Sequence, residues 1–371
     1  MPDLRLLPGF VDLGVAFGEP GAEQAETIQS GLRAAVRGGF AAVVLEPFTE
    51  PAIDTDAQIR LALQRAEGAE CALLVLGSAT RDQGALTEMD LLAEAGAVGV
   101  HLGEHLPDPG RLRSVLEYAV QRHMPVFVHP AEPSLCRGAV VHEGLVSETL
   151  GLKGCPSLVE EVGLGILLPL VRLTGARVHL CRLSTARGVA MVRQARSEGL
   201  PVTADVGFRH LLATESAVQG FDANWRFWPP LRGESDRQAL WEGLRDGTID
   251  AIVSHHVPVP DELKLAEFDR SPVGAIGLET VFPALWTART KGLVPEFSLE
   301  DLVAWLADGP RRVLGLPPTP PAEQDGTWWN FEARWIPCGT NLASLSRNCP
   351  EIGQDLSPSF AGLRRGGCDI F

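Results

Sequence analysis

Eight short apolar runs, each followed by an amphipathic segment, constrain the fold more than any other feature of this chain. They are PGFVDLGVAF at 8–17, FAAVVLEP at 40–47, CALLVLG at 71–77 and AVGVHL at 97–102, then PVFVHP at 125–130, RVHLCRL at 177–183, PVTADV at 201–206 and DAIVSHH at 250–256. Near-continuous apolarity, rather than strict alternation, is the pattern of strands buried on both faces. The intervening segments, such as AETIQSGLRAAVRGG, PGRLRSVLEYAVQRH and TARGVAMVRQARSEG, repeat apolar residues at helical spacing and mostly close on a glycine stop. Eight such β-α units predict a (β/α)8 TIM barrel over 8–316. A doubly wound sheet is the competing arrangement, but no Gly-x-Gly-x-x-Gly follows the first run.

After Gly315 the texture changes. LPPTPPAEQDG at 316–326 is Pro-rich and polar, so 317–371 reads as a linker and a C-terminal extension packed on the barrel. Trp328, Trp329 and Trp335 are its candidates for covering the barrel flank or meeting a partner. A formal charge of −15, from 32 basic and 47 acidic side chains, argues against nucleic acid and anionic membranes as partners. No run approaches the roughly 20 apolar residues of a membrane span. The N-terminus lacks the layout of a signal peptide, and seven cysteines without a Cys-x-x-Cys pair suit reduced thiols, so a cytoplasmic location is expected.

Active sites of such barrels lie at the C-terminal ends of the strands. There the blocks PGFVDLGVAFGEPG, ETIQSGLRAAVRGGFAAVVLEPFTEPAID, PPLRGESDRQALWEGLRDGTIDAIVSHHVP and SPVGAIGLETVFPAL resemble the dihydroorotases of the amidohydrolase superfamily, with a weaker likeness through SLSRNCPEIG at 344–353. The resemblance implies a barrel of the metal-dependent hydrolase type. It also implies reversible cyclisation of carbamoyl aspartate to dihydroorotate, with zinc as Lewis acid and an aspartate as general base. Members carry a longer segment before the first strand, half of a small β-sandwich, and only Met1 to Leu7 precede Pro8 here. A truncated or missing sandwich is therefore expected.

Carried over residue by residue, the family's site is largely absent. Its His-x-His after the first strand is Gly14-Val15-Ala16, and the arginine that grips the substrate carboxylate is Gly18. The substrate-binding asparagine after strand two is Phe48, a second asparagine is Trp228, and a substrate-binding histidine is Val259. The acidic turn after strand four reads His101-Leu102-Gly103-Glu104. Strand five keeps its ligand as His129, strand six has Arg182 in place of a ligand, and the catalytic aspartate position is His255. Arg182 would repel a cation besides failing to hold one.

These replacements predict no catalytic residue, no retained substrate contact and no cofactor. The expectation is a catalytically silent homologue in pyrimidine biosynthesis. It would act as structural or regulatory partner of an aspartate transcarbamoylase, as the resemblance implies for members lacking the zinc ligands, and homo-oligomers are also possible. The alternative is an active zinc-dependent cyclic amidohydrolase with a rebuilt single-metal site, for which His101, His129 and His255 are the candidate ligands. A third possibility is binding of a small anion by His129, Arg182 and His255 without turnover.

Other chemistry-bearing residues have blander readings. His101 to His105 matches His-x-x-Glu-His, but the match spans a strand end and a loop, and that motif needs a helix. Strand alternation is expected to turn His179 away from Arg182, and His256 away from His255. Asp12, Glu19, Asp205 and Glu279 are expected to bond backbone or cap elements, Ser184-Thr185 to cap a helix, and Cys181 to be a small buried apolar residue.

Overall fold

The computed structural model describes residues 3–81 and 84–370. In chain order its strands are β1 (Leu4–Pro8), β2 (Phe10–Val15), β3 (Phe40–Leu45), β4 (Ala72–Ser78), β5 (Ala97–His101), β6 (Val126–Val128) and β7 (Val141–His142), continuing with β8 (Gly154–Cys155), β9 (Val178–Leu180), β10 (Val202–Gly207), β11 (Ala251–Val253), β12 (Gly326–Asn330), β13 (Ser359–Arg365) and β14 (Cys368–Ile370). Eight of them form one sheet in the order β11-β10-β9-β6-β5-β4-β3-β2. Each neighbouring pair is parallel. The sheet nears closure through the bridge Val15–His256 and the bond from Ala16 N–H to the His256 carbonyl at 2.9 Å. All eight apolar runs thus supply a barrel strand.

The reason lies in what each face buries. Leu13, Val44, Leu76, Phe127, Cys181, Ala251 and Val253 fill the interior, while the large outer cluster packs strand residues such as Val43, Val75, Val100 and Val126 against the helices. Helix starts are fixed chemically. Thr27, Thr55 and Thr185 accept the amides of Ser30, Gln58 and Gly188, and Asp108 accepts that of Arg111. The expected cap at Thr185 is one of these. Among the described residues no helix is long and apolar enough to cross a membrane.

A further strand, β1, precedes the first run and overlaps it only at Pro8. β1 leaves the barrel and pairs antiparallel with β12, so that Leu4 faces Asn330 and Pro8 faces Gly326. β13 and β14 extend this to a four-stranded sheet, which gives the tail a regular core. Trp329 is fully buried there, its ring 4.6 Å from Phe282 and 6.4 Å from Phe10 between centroids. The tryptophan expected to cover the flank does so within the chain. Replacing it by alanine would cost about 3–5 kcal/mol.

Candidate active site at the barrel mouth

Three side chains from the ends of three barrel strands converge at the C-terminal mouth. Glu46 follows β3, His101 ends β5, and His129 follows β6, all buried, and one ligand atom from each lies within 4.8 Å of the others. His101 Nε2 stands 3.8 Å from Glu46 Oε1, and the two imidazole centroids are 5.5 Å apart. Beside them opens a cavity of about 170 Å³, lined by Glu46, Phe48, Glu104, His129, Arg182, Trp228 and His255 among others.

Arg182 enters this group from beyond β9. The expected alternation fails because Arg182 lies past the strand end in a left-handed conformation, φ 57°, which re-aims its side chain into the mouth. Asp205 fixes that turn by accepting the Arg182 amide at 2.6 Å with one oxygen and facing His179 Nε2 at 2.9 Å with the other. His179 therefore shares the barrel interior with Cys181, and both Asp205 oxygens in the His179–Cys181–Asp205 cluster are already occupied. The guanidinium of Arg182 donates from Nη2 to Glu46 Oε1. Gly14 makes room for the pair, since a Cβ there would sit 2.9 Å from Glu46 Oε1 and 3.8 Å from Arg182 Nη2.

The electrostatics follow from burial. Desolvation pushes Glu46 up to about 7 against the pull of Arg182. Burial, reinforced by Arg182, drives His101, His129 and His255 well below the ordinary imidazole range and keeps them neutral. Neutral imidazoles and a carboxylate are the donor set a borderline-soft divalent ion takes. Glu46 Oε2 is buried with no hydrogen-bond partner, an acceptor left for such an ion. His129 makes no side-chain hydrogen bond among the described residues. His101 accepts the Gly103 amide at Nδ1, 2.9 Å away, so its proton sits on Nε2 and it joins a metal only by exchanging that bond. The residues present fit one ion, with Glu46 and His129 its readiest ligands.

Other expected positions fall on both sides of the ledger. His255 lines the cavity in the left-handed region, φ 51°, and its ring stacks on His210 with centroids 6.2 Å apart. It does not join the metal cluster. Phe48 meets the His101 ring edge-to-face at 4.8 Å, and Trp228 donates to the Glu104 carbonyl at 3.3 Å, so both line the cavity as apolar walls. Val259 and Gly18 do not line it. Val259 is buried beside Asn348, whose Oδ1 accepts its amide at 3.2 Å, and a Cβ at Gly18 would fall 2.1 Å from the Ala22 carbonyl oxygen. His256 faces away from His255, accepting the Gly277 amide. Asp12 accepts the amides of Gly14 and Ser254, Glu19 that of Ile28, and Glu279 those of Ala343 and Ser344. Glu104 and His105 lie in a loop, as the metalloprotease pattern excludes.

Glu46 is the candidate ligand that motif reasoning misses. Its signal is a lone carboxylate closing the otherwise apolar run FAAVVLE. A charge at the end of a strand buried on both faces needs a partner or an ion.

The comparisons with known proteins bear on what this mouth does. A match to the dihydro-orotase-like family spans residues 4–187. The dihydroorotase of Pelotomaculum thermopropionicum is 39% identical over 359 residues, covering 94% of this chain and 83% of that protein. That of Thermus aquaticus is 41% identical over 323 residues, covering 84% and 75%. The chain belongs to the dihydroorotase family of the amidohydrolase superfamily. Among solved structures, the L-hydantoinase (dihydropyrimidinase) from Arthrobacter aurescens superposes with a TM-score of 0.85 at 20% identity, over 99% of this chain and 86% of that one. The dihydroorotase from Saccharomyces cerevisiae in complex with 5-fluoroorotic acid gives 0.75 at 17%, over 98% and 99%. Both agree with the barrel.

Two expectations are overturned. Relatives at about 40% identity bear the name dihydroorotase, which speaks against a chain without enzymatic activity. The expectation of no cofactor fails on the cluster of Glu46, His101 and His129, which brings metal-ligating groups together where the family's metal chemistry takes place. The physical reason is compensation. Where the first strand and strand six offer no ligand, a carboxylate just past the neighbouring β3 occupies the space that Gly14 leaves open and is a candidate ligand.

Proposed function

We propose that this protein is a metal-dependent hydrolase of a cyclic amide, of the dihydroorotase type, working from a rebuilt single-metal site. The observation that carries the reading is the convergence of Glu46, His101 and His129 beside a cavity sized for one small ring. Glu46 and His129 hold the ion, with His101 as third ligand. When bound, the ion polarises the amide carbonyl and lowers the pKa of a water molecule. Trp228 and Phe48 flank the ring and limit bulk water. His255, neutral and aimed into the cavity by its left-handed backbone, stands where the family's aspartate acts and can accept a proton. Hydrolysis adds water across the ring C–N bond: the carbonyl carbon gains the oxygen, and the nitrogen leaves with a proton. Cyclisation is the reverse.

The test is metal content of protein purified without chelator, together with turnover of dihydroorotate, dihydrouracil and hydantoin. About one zinc or manganese per chain and ring opening of at least one substrate are expected, both lost in Glu46→Gln. Metal-free protein that opens no ring even with metal added would overturn the reading. Association with an aspartate transcarbamoylase is a separate proposal that rests on the resemblance alone; failure to co-purify with the cognate transferase would remove it.

A further inference from the structure

We propose that His210 is a positioning residue for His255, holding it in the tautomer that keeps its hydrogen on Nδ1 and turns a bare Nε2 to the cavity. The base role of His255 belongs to the hydrolase reading, on which this inference rests, but the tautomer can be measured without it. An unpaired buried atom points to the link. His210 follows β10 on the short helix Phe208–Leu212 and is only 3% exposed. Its Nε2 lies 3.0 Å from the Pro229 carbonyl, which can only accept, so the one hydrogen of the neutral ring sits on Nε2. Its Nδ1 is then a lone pair, buried and without a partner among the described residues. A buried acceptor in that state is costly unless a donor reaches it.

His255 is the donor beside it. The two rings are nearly parallel, at 24°, with centroids 6.2 Å apart. Both Nδ1 atoms border the space that Gly207 leaves open: a Cβ there would sit 3.1 Å from His210 Nδ1 and 3.4 Å from His255 Nδ1. A direct N–H···N bond of about 3 Å would bring the centroids to roughly 5 Å, so one bridging water carries the link across the gap. Phe227 flanks both rings, its centroid 6.4 Å from His210 and 5.9 Å from His255, and offers no acceptor. Burial, and then the charges of Arg182 and Arg209, keep both imidazoles neutral, so each ring carries one hydrogen. Electrostatics choose its place on His255. Arg182, the cation that ring feels most, lines the same cavity, so a lone pair on Nε2 faces positive charge. An N–H on Nδ1 faces the bare Nδ1 of His210 instead of setting two lone pairs against each other. The bonds then run in one sense, from His255 through the water to His210 and on to the Pro229 carbonyl, each strengthening the next.

Nitrogen NMR of the full chain, labelled at histidine and held at neutral pH, reads the tautomer of each neutral ring. The His255 signals are those lost in His255→Gln. His255 is expected with its hydrogen on Nδ1 and His210 with its hydrogen on Nε2. A His255 hydrogen on Nε2 would overturn the inference, and that measurement depends on no variant of His210 folding. His210→Gln keeps a donor for Pro229 and removes the acceptor at the Nδ1 place. It is expected to let His255 mix tautomers and to lower kcat for ring opening by about 10- to 100-fold with KM unchanged. His210→Asn, whose amide oxygen takes the Nδ1 place, should recover most of that loss. Gly207→Ala fills the gap and should mix the tautomers without touching either histidine. A folded His210→Gln protein whose His255 keeps the wild-type tautomer would also overturn the positioning role. The two readings part cleanly: no ring opening with the His255 hydrogen on Nδ1 sinks the hydrolase and leaves the arrangement standing, whereas ring opening with that hydrogen on Nε2 does the reverse.

Discussion

Two buried Arg–Glu pairs lie in this protein, and they are built differently. Arg209 meets Glu351 through Nε at 2.8 Å and Nη2 at 2.5 Å, Nη2 also reaches the Ile276 carbonyl, Thr280 donates to Glu351, and the guanidinium rests 4.4 Å from the Phe208 ring centroid. Arg182 and Glu46 share one bond and leave Glu46 Oε2 bare beside a cavity. The first pair ties the C-terminal extension to the barrel. The second holds unspent bonding capacity at the mouth. Burial and charge are nearly the same in both, and Arg209 Nη1 also lacks a partner, so it is the greater number of bonds in the first pair and the cavity beside the second that separate a strut from a site.

The contrast can be broken from its strongest side first. His129→Ala and Glu46→Gln each remove a ligand, and metal affinity and ring opening should fall by more than about 100-fold, beyond what loss of a supporting contact costs. Retention of metal by either variant, measured by elemental analysis, would move the site elsewhere. Arg209→Gln should cost about 3–5 kcal/mol in urea unfolding, because Glu351 is left buried and unpaired. Arg182→Gln should cost no more than about 2 kcal/mol, since Glu46 borders the cavity and takes up a proton near pH 7. Equal losses in the two variants would erase the distinction.

The helix Phe208–Leu212 carries Arg209 to the strut and His210 to the mouth, so it links the two regions. Burial pushes His210 down to about 4 from its ordinary 6.5. Between those values the unfolded chain binds a proton that the folded chain refuses. Stability present above pH 6.5 is thus lost as pH falls toward 4, by about 3 kcal/mol. Denaturant midpoints across that window should flatten in His210→Asn; an unchanged slope would reject the assignment. The smallest effect belongs to Gly14→Ala. Its Cβ meets the mobile end of Glu46, so stability should change by less than about 1 kcal/mol while metal affinity shifts.

The barrel was legible because strands buried on both faces must be apolar almost throughout, and eight such runs leave few arrangements. His129 and His255 were legible through their neighbours in family-like blocks. Glu46 was not, because its partner lies 136 residues away and no local spacing announces it. Arg182 was legible as a charge at a strand end, but its turn into the mouth beside Glu46 was not, because alternation carries no information about a residue that leaves the strand with positive φ. Gly18 and Val259 were assigned to a pocket that local packing had already moved away from them. β1 was hidden because its partner β12 lies more than 300 residues away and the short LRLL before Pro8-Gly9 announces no pairing.

The pairing of β1 with β12 has a bearing on how the molecule is made. β12 begins more than 300 residues after β1 ends, so at roughly 5–20 residues per second the nascent β1 waits for tens of seconds with its edge unprotected. All eight barrel strands are therefore made before β1 meets its partner.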